Sequence, residues 1–231
     1  MRRFEGRNAL ITGGASGIGK ATAARLLTEG ACVVINGRDP ERLATALGDL
    51  AAGGTVSGIA ADAAREDEVT DLVGEALGRL GRIDVLVNSA RIDGAGVNAL
   101  VLSPDGWRRV LDANLTEPFL VAQVVTRAMA TAGGGAIVNV ASLNGLAAEP
   151  DFADYNASKG GLVMLTRSLA VDLVRHNIRV NAVCPGLQHP HAHDRGVRRG
   201  PGDWCGNSRG RPDGTLRRAG RGRRSHRVPG L

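Results

Sequence analysis

Nowhere is this 231-residue chain apolar for the roughly 18 residues that a membrane-crossing helix needs. Its start, Met1-Arg2-Arg3-Phe4-Glu5-Gly6, lacks the apolar stretch of a secretory signal. A cytoplasmic protein with no membrane partner is the expectation. Cysteine is scarce too: Cys32, Cys184 and Cys205 are odd in number, far apart and outside any C-x-x-C spacing. That excludes a disulfide framework and a cysteine zinc site, so no metal is expected. Cys32 lies in an apolar run and is expected in the core. Aromatic residues make up 3% of the chain, and Tyr155 is its only tyrosine.

Positive charge is plentiful, with a net charge of +6 and a pI near 10.2. Such a balance ordinarily raises nucleic acid or an anionic membrane as partners. The excess is concentrated after Leu187, in a segment crowded with Arg, Gly, Pro and His and devoid of Lys. Trp204 is its only aromatic residue. A single-strand binder interleaves aromatic side chains with its cations, so nucleic acid is not the expected partner.

With 43% hydrophobic residues the chain can bury one substantial core, which predicts a single α/β domain. Short β-rich runs alternate with segments of helical period. The spacing predicts strands at 8–12, 31–36, 55–60, 83–88, 136–141 and 178–183. Helices are predicted over 19–29, 40–50, 66–80, 107–114, 117–130 and 155–175. Continuous apolar runs such as Val33-Val34-Ile35 and Val85-Leu86-Val87 suit strands covered on both faces. The pattern is that of a Rossmann-type, doubly wound parallel sheet. It stops after Cys184-Pro185-Gly186, which sets the domain at 1–186 and leaves 187–231 as an irregular, disordered tail.

Thr12-Gly13-Gly14-Ala15-Ser16-Gly17-Ile18-Gly19 joins the first strand to the first helix. Glycines there permit a tight turn and let backbone N–H groups approach a pyrophosphate at the helix N-terminus. After the second strand comes Asn36-Gly37-Arg38-Asp39, where an arginine accommodates the 2′-phosphate of NADP and a carboxylate favours NAD. Arg38 leans towards NADP, with NAD possible; a solvated arginine is the other reading. Asp39 can instead cap the helix that Pro40 opens. In Tyr155-Asn156-Ala157-Ser158-Lys159 the i, i+4 spacing puts a phenol and an ammonium on one helix face. The nearby cation is expected to lower the Tyr155 pKa and make it a usable acid or base.

Together the glycine motif, Asn114-Leu115, Ser142, Tyr155-x-x-x-Lys159 and Asn177-Ile-Arg-Val-Asn-Ala-Val-Cys-Pro185-Gly186 closely resemble the short-chain dehydrogenase/reductases in order and spacing. The resemblance covers residues 5–186. It implies Tyr155 as the proton donor or acceptor, Lys159 as the group that lowers its pKa and binds the nicotinamide ribose, and Ser142 as the residue that holds the substrate oxygen. Asn114 would keep a relay water. Taken alone, Ser142 reads as a cap after a strand and Asn114 as a helix-ending residue. The cofactor set implied is Gly13, Ser16, Gly17, Ile18, Gly19, Arg38, Asp62, Ala63, Asn88, Ala90, Tyr155, Lys159, Pro185 and Gly186. Asp62 would read the adenine amino group, and Ala63 would follow through its backbone. The implied activity is hydride exchange between NADP, or NAD, and a small-molecule secondary alcohol or ketone.

Asn88-Ser89-Ala90-Arg91 departs from the family's Asn-Asn-Ala-Gly. Arg91 brings a long cation where the backbone passes close to the cofactor, and a positive φ there would add strain. It is expected to hamper cofactor binding; meeting a phosphate or acidic substrate is the other reading.

The tail has a reading of its own. Written as CAA CAC CCC CAT GCT CAC GAC, Gln188 to Asp194 read one base later gives Asn-Thr-Pro-Met-Leu-Thr, the family's next motif. From about Pro212 the same shift permits DPMARFGAPEEVAEAIVFLAS. The expectation is a frameshift near Leu187, with the last strand, the substrate lid and much of the oligomer interface replaced and the edge beside 178–183 left unpaired. A family-typical homo-oligomer is therefore not expected. Two alternatives stand beside the enzyme: a catalytically inactive dinucleotide-binding remnant, and a protein that associates with nucleic acid through its basic tail.

Overall fold

The computed structural model describes residues 2–186. Their elements alternate as β1 (Asn8–Thr12), α1 (Gly17–Thr28), β2 (Cys32–Gly37), α2 (Pro40–Leu50), β3 (Val56–Ala60), α3 (Glu66–Leu80), β4 (Val85–Asn88), α4 (Pro104–Leu111), α5 (Glu117–Thr131), β5 (Gly135–Val140), α6 (Ala153–Leu173) and β6 (Ile178–Val183). A π-helical turn, Asp112–Thr116, joins α4 to α5. The readings placed on residues 187–231, disorder and an altered reading frame, lie outside the described residues.

The six strands are all parallel and ordered β3-β2-β1-β4-β5-β6. Their runs are apolar because both faces are covered. Leu10, Val34, Leu86, Ile137 and Ile178 pack with residues of α3 and α5. Ala9, Ile11, Val33, Ile35 and Val87 pack with residues of α1 and α2. Neighbours in sequence thus point to opposite layers, as the two-residue period of a strand requires. Among the described residues β6 pairs only with β5. No helix of these residues is long and apolar enough to cross a membrane.

Local chemistry explains several boundaries. The Asp39 carboxylate accepts from the N–H groups of Glu41 and Arg42 at 3.0 and 3.2 Å, ahead of Pro40 in the first turn of α2. The cap reading of Asp39 is therefore realised. Three acids, Glu66, Asp67 and Glu68, fill the first turn of α3, and Gly81 ends it at φ 75°. At the end of α1 the buried Glu29 takes two bonds of 2.6 Å from Arg3. Those bonds and Arg25 outweigh burial and hold its carboxyl down at about 2. Cys32 is only partly buried, because it opens β2 at the sheet's rim and not in its centre.

Register brings the strand ends level around one crevice. Thr12 lies opposite Asn88, and Asn88 opposite Asn139. Chain order reverses between β1 and β4, and the crevice outside the strand ends at such a reversal is where open α/β sheets bind ligands.

Candidate active site

The glycine loop and the segment after β4 meet backbone to backbone. Gly13 has φ +62°, and a Cβ on it would fall 2.6 Å from the Ala90 Cα and N. A Cβ on Gly19 would lie 2.3 Å from the Gly13 carbonyl oxygen. Only glycine fits either place. Thr12 locks the junction, its Oγ1 accepting from the N–H groups of Ser89 and Ala90 at 3.3 Å each. Ser16 precedes α1 without a side-chain capping bond. The first-turn N–H groups at Gly17, Ile18 and Gly19 thus have no side-chain cap, as an anion-binding helix end requires.

Beyond β2, Arg38 is exposed and makes no ion pair among the described residues. It lines a cleft of about 440 Å³ with Asp62, Ala64, Ile92, Arg108 and Arg109. Asp62 Oδ1 accepts from the Ala64 N–H at 3.2 Å, while the Asp62 N–H donates to Glu68 Oε2 at 2.6 Å. Ala63 turns its side chain into the core, leaving only its backbone for a ligand. Asn88 also faces inward. Its Nδ2 donates to Asn139 Oδ1 at 2.9 Å and to the Pro118 carbonyl at 3.3 Å, and Asn139 Nδ2 continues to Thr166 Oγ1 at 2.9 Å. The Asn88 amide nitrogen therefore ties β4 to β5 and α5, while its Oδ1 has no hydrogen-bond partner among the described residues.

Ser142, Tyr155 and Lys159 converge where β5 ends and α6 begins. Ser142 Oγ accepts from the Asn144 N–H at 3.2 Å, so it is a cap as well as a site candidate. Lys159 is 1% exposed; its Nζ donates to the Val140 carbonyl at 3.0 Å and lies 5.8 Å from the centre of the Tyr155 ring. The ring of Phe152 stands edge-on to that phenol at 6.5 Å. Pro185 reaches the same place, its carbonyl accepting from the Leu143 N–H at 2.9 Å. Among the described residues, nothing lies within 4 Å of a Cβ on Gly186.

Asn114 does not end a helix. It is fully buried inside the π turn, where Oδ1 accepts from the Ile92 N–H at 2.9 Å and Nδ2 donates to the Ile92 carbonyl at 3.0 Å and to Ser158 Oγ at 3.3 Å. Its side chain is committed to protein groups.

Electrostatics correct the expected Tyr155 titration. Burial pushes the phenol above its usual range, and the Arg91 charge and the Ser142 hydroxyl pull it only part of the way back. Burial, then Arg91, brings the Lys159 ammonium down to about 8. Desolvation outweighs the expected lowering by Lys159 because both groups lie in the same dry wall. Arg91 needs a second correction. Among the described non-glycine residues only Asp151 and Asn177 have positive φ, so Arg91 carries no strain of that kind. It is half-exposed and ion-paired to Asp93.

Three residues escaped the sequence reading. Ser158 Oγ donates to the Tyr155 carbonyl at 2.8 Å, and its place inside the Tyr-x-x-x-Lys motif was the available signal. Asp154, 1% exposed, accepts from the Ala95 N–H at 2.9 Å and the Tyr155 N–H at 2.7 Å, pinning the segment after β4 to α6. Glu117, 5% exposed, has an Oε1 without a hydrogen-bond partner among the described residues. Its position in the first turn of α5 reads as an ordinary dipole-complementing acid.

A family profile described as short chain dehydrogenase matches residues 7–195. The chain is 39% identical over 188 residues to dehydrogenase/reductase SDR family member 4 of Caenorhabditis elegans, covering 80% of this chain and 72% of that protein. It is 38% identical over 189 residues to 3-oxoacyl-[acyl-carrier-protein] reductase of Synechocystis sp., covering 81% and 76%. Among solved structures, NAD+-bound xylitol dehydrogenase superposes with a TM-score of 0.80 at 36% identity, over 82% of this chain and 73% of that one.

Proposed function

The chain belongs to the short-chain dehydrogenases, oxidoreductases that work with NAD(P), and from that membership we propose that it interconverts a secondary alcohol and a ketone with Tyr155 as the general acid/base. One observation carries the reading. Ser142, Tyr155 and Lys159 gather at the end of β5, separated by β4 from the strand that leads into a glycine loop whose close backbone contacts only glycine permits.

Gly13, Gly17, Ile18 and Gly19 would hold the pyrophosphate, Arg38 the adenosine 2′-phosphate, and the backbones of Ala63 and Ala90 the adenine and the inner ribose. Asp62 borders the same cleft. A nicotinamide held there would supply or accept the hydride. Every other step belongs to the protein. Ser142 Oγ donates a hydrogen bond to the substrate oxygen and fixes its orientation. In reduction the Tyr155 hydroxyl gives that oxygen a proton; in oxidation the phenolate takes one. Lys159, held by the Val140 carbonyl, stabilises the phenolate across 5.8 Å to the ring. Asn114 feeds the proton relay through the main chain of its π turn, since its side chain is occupied by Ile92 and Ser158.

NADP is the proposed cofactor because Arg38 stands free of any ion pair among the described residues; its cleft holds Arg108 and Arg109 together with Asp62, Asp105 and Asp112. The test is NADPH and NADH consumption across a panel of ketones and oxidised sugars, beside DNA retention at graded salt. Turnover with preference for NADPH is expected. Tight cofactor binding without turnover on any substrate would favour an inactive dinucleotide-binding fold, and salt-dependent DNA retention would favour the basic-tail reading.

A further inference from the structure

Ser142 opens a tight turn, Leu143–Gly145, that is packed against α6. A Cβ on Gly145 would lie 2.6 Å from the Lys159 carbonyl oxygen, so only glycine fits that approach. The Leu143 N–H bonds the Pro185 carbonyl at 2.9 Å, and the Leu143 carbonyl takes the N–H groups of Leu146 and Ala147 at 2.8 and 2.9 Å. Side-chain amides add a second set of bonds, and main-chain groups fix its polarity. The Glu149 N–H can only donate and the Glu149 carbonyl can only accept, so together they orient the Asn156 amide. Its Oδ1 takes the N–H at 3.4 Å and its Nδ2 gives to the carbonyl at 2.8 Å. Asn156 Oδ1 therefore faces Asn144, whose Nδ2 donates to it at 3.0 Å and to Glu149 Oε2 at 3.1 Å. Both hydrogens of the Asn144 amide are then spent, and its Oδ1 is turned to Ser142, whose Oγ donates to it at 3.4 Å. The Asn144 main-chain N–H closes the ring by donating to the same Oγ at 3.2 Å.

We propose that Asn144 is a positioning residue for the reaction: it sets the direction of the Ser142 hydroxyl, and Asn156 and Glu149 fix Asn144 in turn. The inference rests on Ser142 orienting the substrate oxygen. Ser142 has a single hydrogen to give. The N–H that its Oγ accepts occupies one side of that oxygen and strengthens the hydroxyl as a donor. The bond it makes to Asn144 Oδ1 is long beside the usual O–H···O distance of about 2.7–2.8 Å. The hydrogen is thus aimed but loosely held, and a ketone oxygen can take it without a strong bond being broken. Without Asn144 Oδ1 the main-chain N–H alone would hold Oγ, and the hydrogen would turn freely about the Cβ–Oγ bond. Asn156 follows Tyr155 directly, so one turn of α6 carries the phenol and, through two amides, aims the Ser142 hydroxyl.

The test is a double-mutant cycle in the full-length protein, read as NADPH oxidation with the best ketone of the panel. Asn144→Ala and Asn144→Asp are each made in the parent and in Ser142→Ala, with circular dichroism to follow folding and NADPH affinity to follow the cofactor site. In the parent, Asn144→Ala should lower kcat about tenfold and leave NADPH affinity unchanged. Asn144→Asp should fall with it, because a carboxylate keeps an acceptor for Ser142 but offers Glu149 and Asn156 no hydrogen. In Ser142→Ala the same changes should cost nothing further, since a residue that acts through the hydroxyl has nothing left to act on. A role confined to folding would lower both backgrounds alike. Equal losses in the two backgrounds therefore overturn the proposal, as does either Asn144 variant at the parent's kcat. If Asn144→Ala does not fold, Asn144→Asp in the two backgrounds decides in the same way. The reading beneath is tested apart from this: Ser142→Ala at the parent's turnover sinks the role of Ser142 and the proposal with it, whereas a loss in Ser142→Ala with none in Asn144→Ala sinks the proposal alone.

Discussion

Glu117→Gln should make the protein more stable at alkaline pH and leave it nearly unchanged in acid. The carboxyl is 5% exposed, and its Oε1 has no hydrogen-bond partner among the described residues. Burial first and Asp62 second push its pKa up to about 7, against the pull of Arg38, the Thr12 hydroxyl and Lys159. In the unfolded chain the same group titrates near 4.5. Below that value the carboxyl is neutral in both states and pH does not bear on it. Between 4.5 and about 7 the unfolded chain loses the proton while the folded one keeps it, so the fold binds more protons and stability falls as pH rises. Above about 7 the loss is complete. At about 1.36 kcal/mol per pKa unit the whole descent amounts to about 3 kcal/mol. Glutamine keeps the shape and can still accept from Thr12, but it carries no titrating proton. Urea denaturation followed by circular dichroism, extrapolated to water at a series of pH values, reads the difference. Parent and variant should agree near about pH 4 and diverge by about 3 kcal/mol in the variant's favour by about pH 8.5. A gap independent of pH, or a parent that is the more stable at alkaline pH, would refute the reasoning.

Other substitutions probe neighbouring parts of the account. Gly13→Ala meets the Ala90 backbone at 2.6 Å and must also take a positive φ, so it should abolish cofactor binding, read by NADPH fluorescence, and cost about 1–3 kcal/mol of stability. Asn139→Ala removes the link between Asn88 and Thr166; leaving their buried polar atoms unmatched should cost about 1–3 kcal/mol in the same urea assay. Arg38→Ala should weaken 2′,5′-ADP about tenfold or more while sparing 5′-AMP, since a charge-assisted bond to phosphate contributes about 1.5–3 kcal/mol. Equal losses for both nucleotides would remove the case for NADP.

The sheet was legible because its signal is redundant. Asn8–Thr12 and Ile178–Val183 appear with their predicted bounds, as do α2 and α3, whose ends carry a capping aspartate with proline and an acidic first turn with glycine. Errors fall where local chemistry overrides period. Helix α1 starts at Gly17 and not at Gly19, since glycines weaken the helical pattern without preventing the turn. Helix α4 begins at Pro104, three residues before the expected Trp107, because Ser103 caps it by accepting from the Gly106 N–H at 3.0 Å. The π turn that buries Asn114 has a period that a 3.6-residue template does not register. In the site, motif residues could be named, but which of their atoms remain free could not. Asn114 spends its side chain on internal bonds, Asn88 spends only its amide nitrogen, and Glu117 looks like a surface acid until the fold encloses it. The Tyr155 titration was misjudged for a related reason: sequence spacing shows the neighbouring lysine but not the burial that outweighs it.

The most direct test of the central claim is the turnover of Tyr155→Phe against the parent, measured as NADPH oxidation with the best ketone of the panel, alongside NADPH affinity. Phenylalanine keeps the ring and loses only the transferable proton. The account predicts a fall in kcat of about 10²–10⁴ with NADPH binding unchanged. Turnover by the variant equal to that of the parent would contradict it.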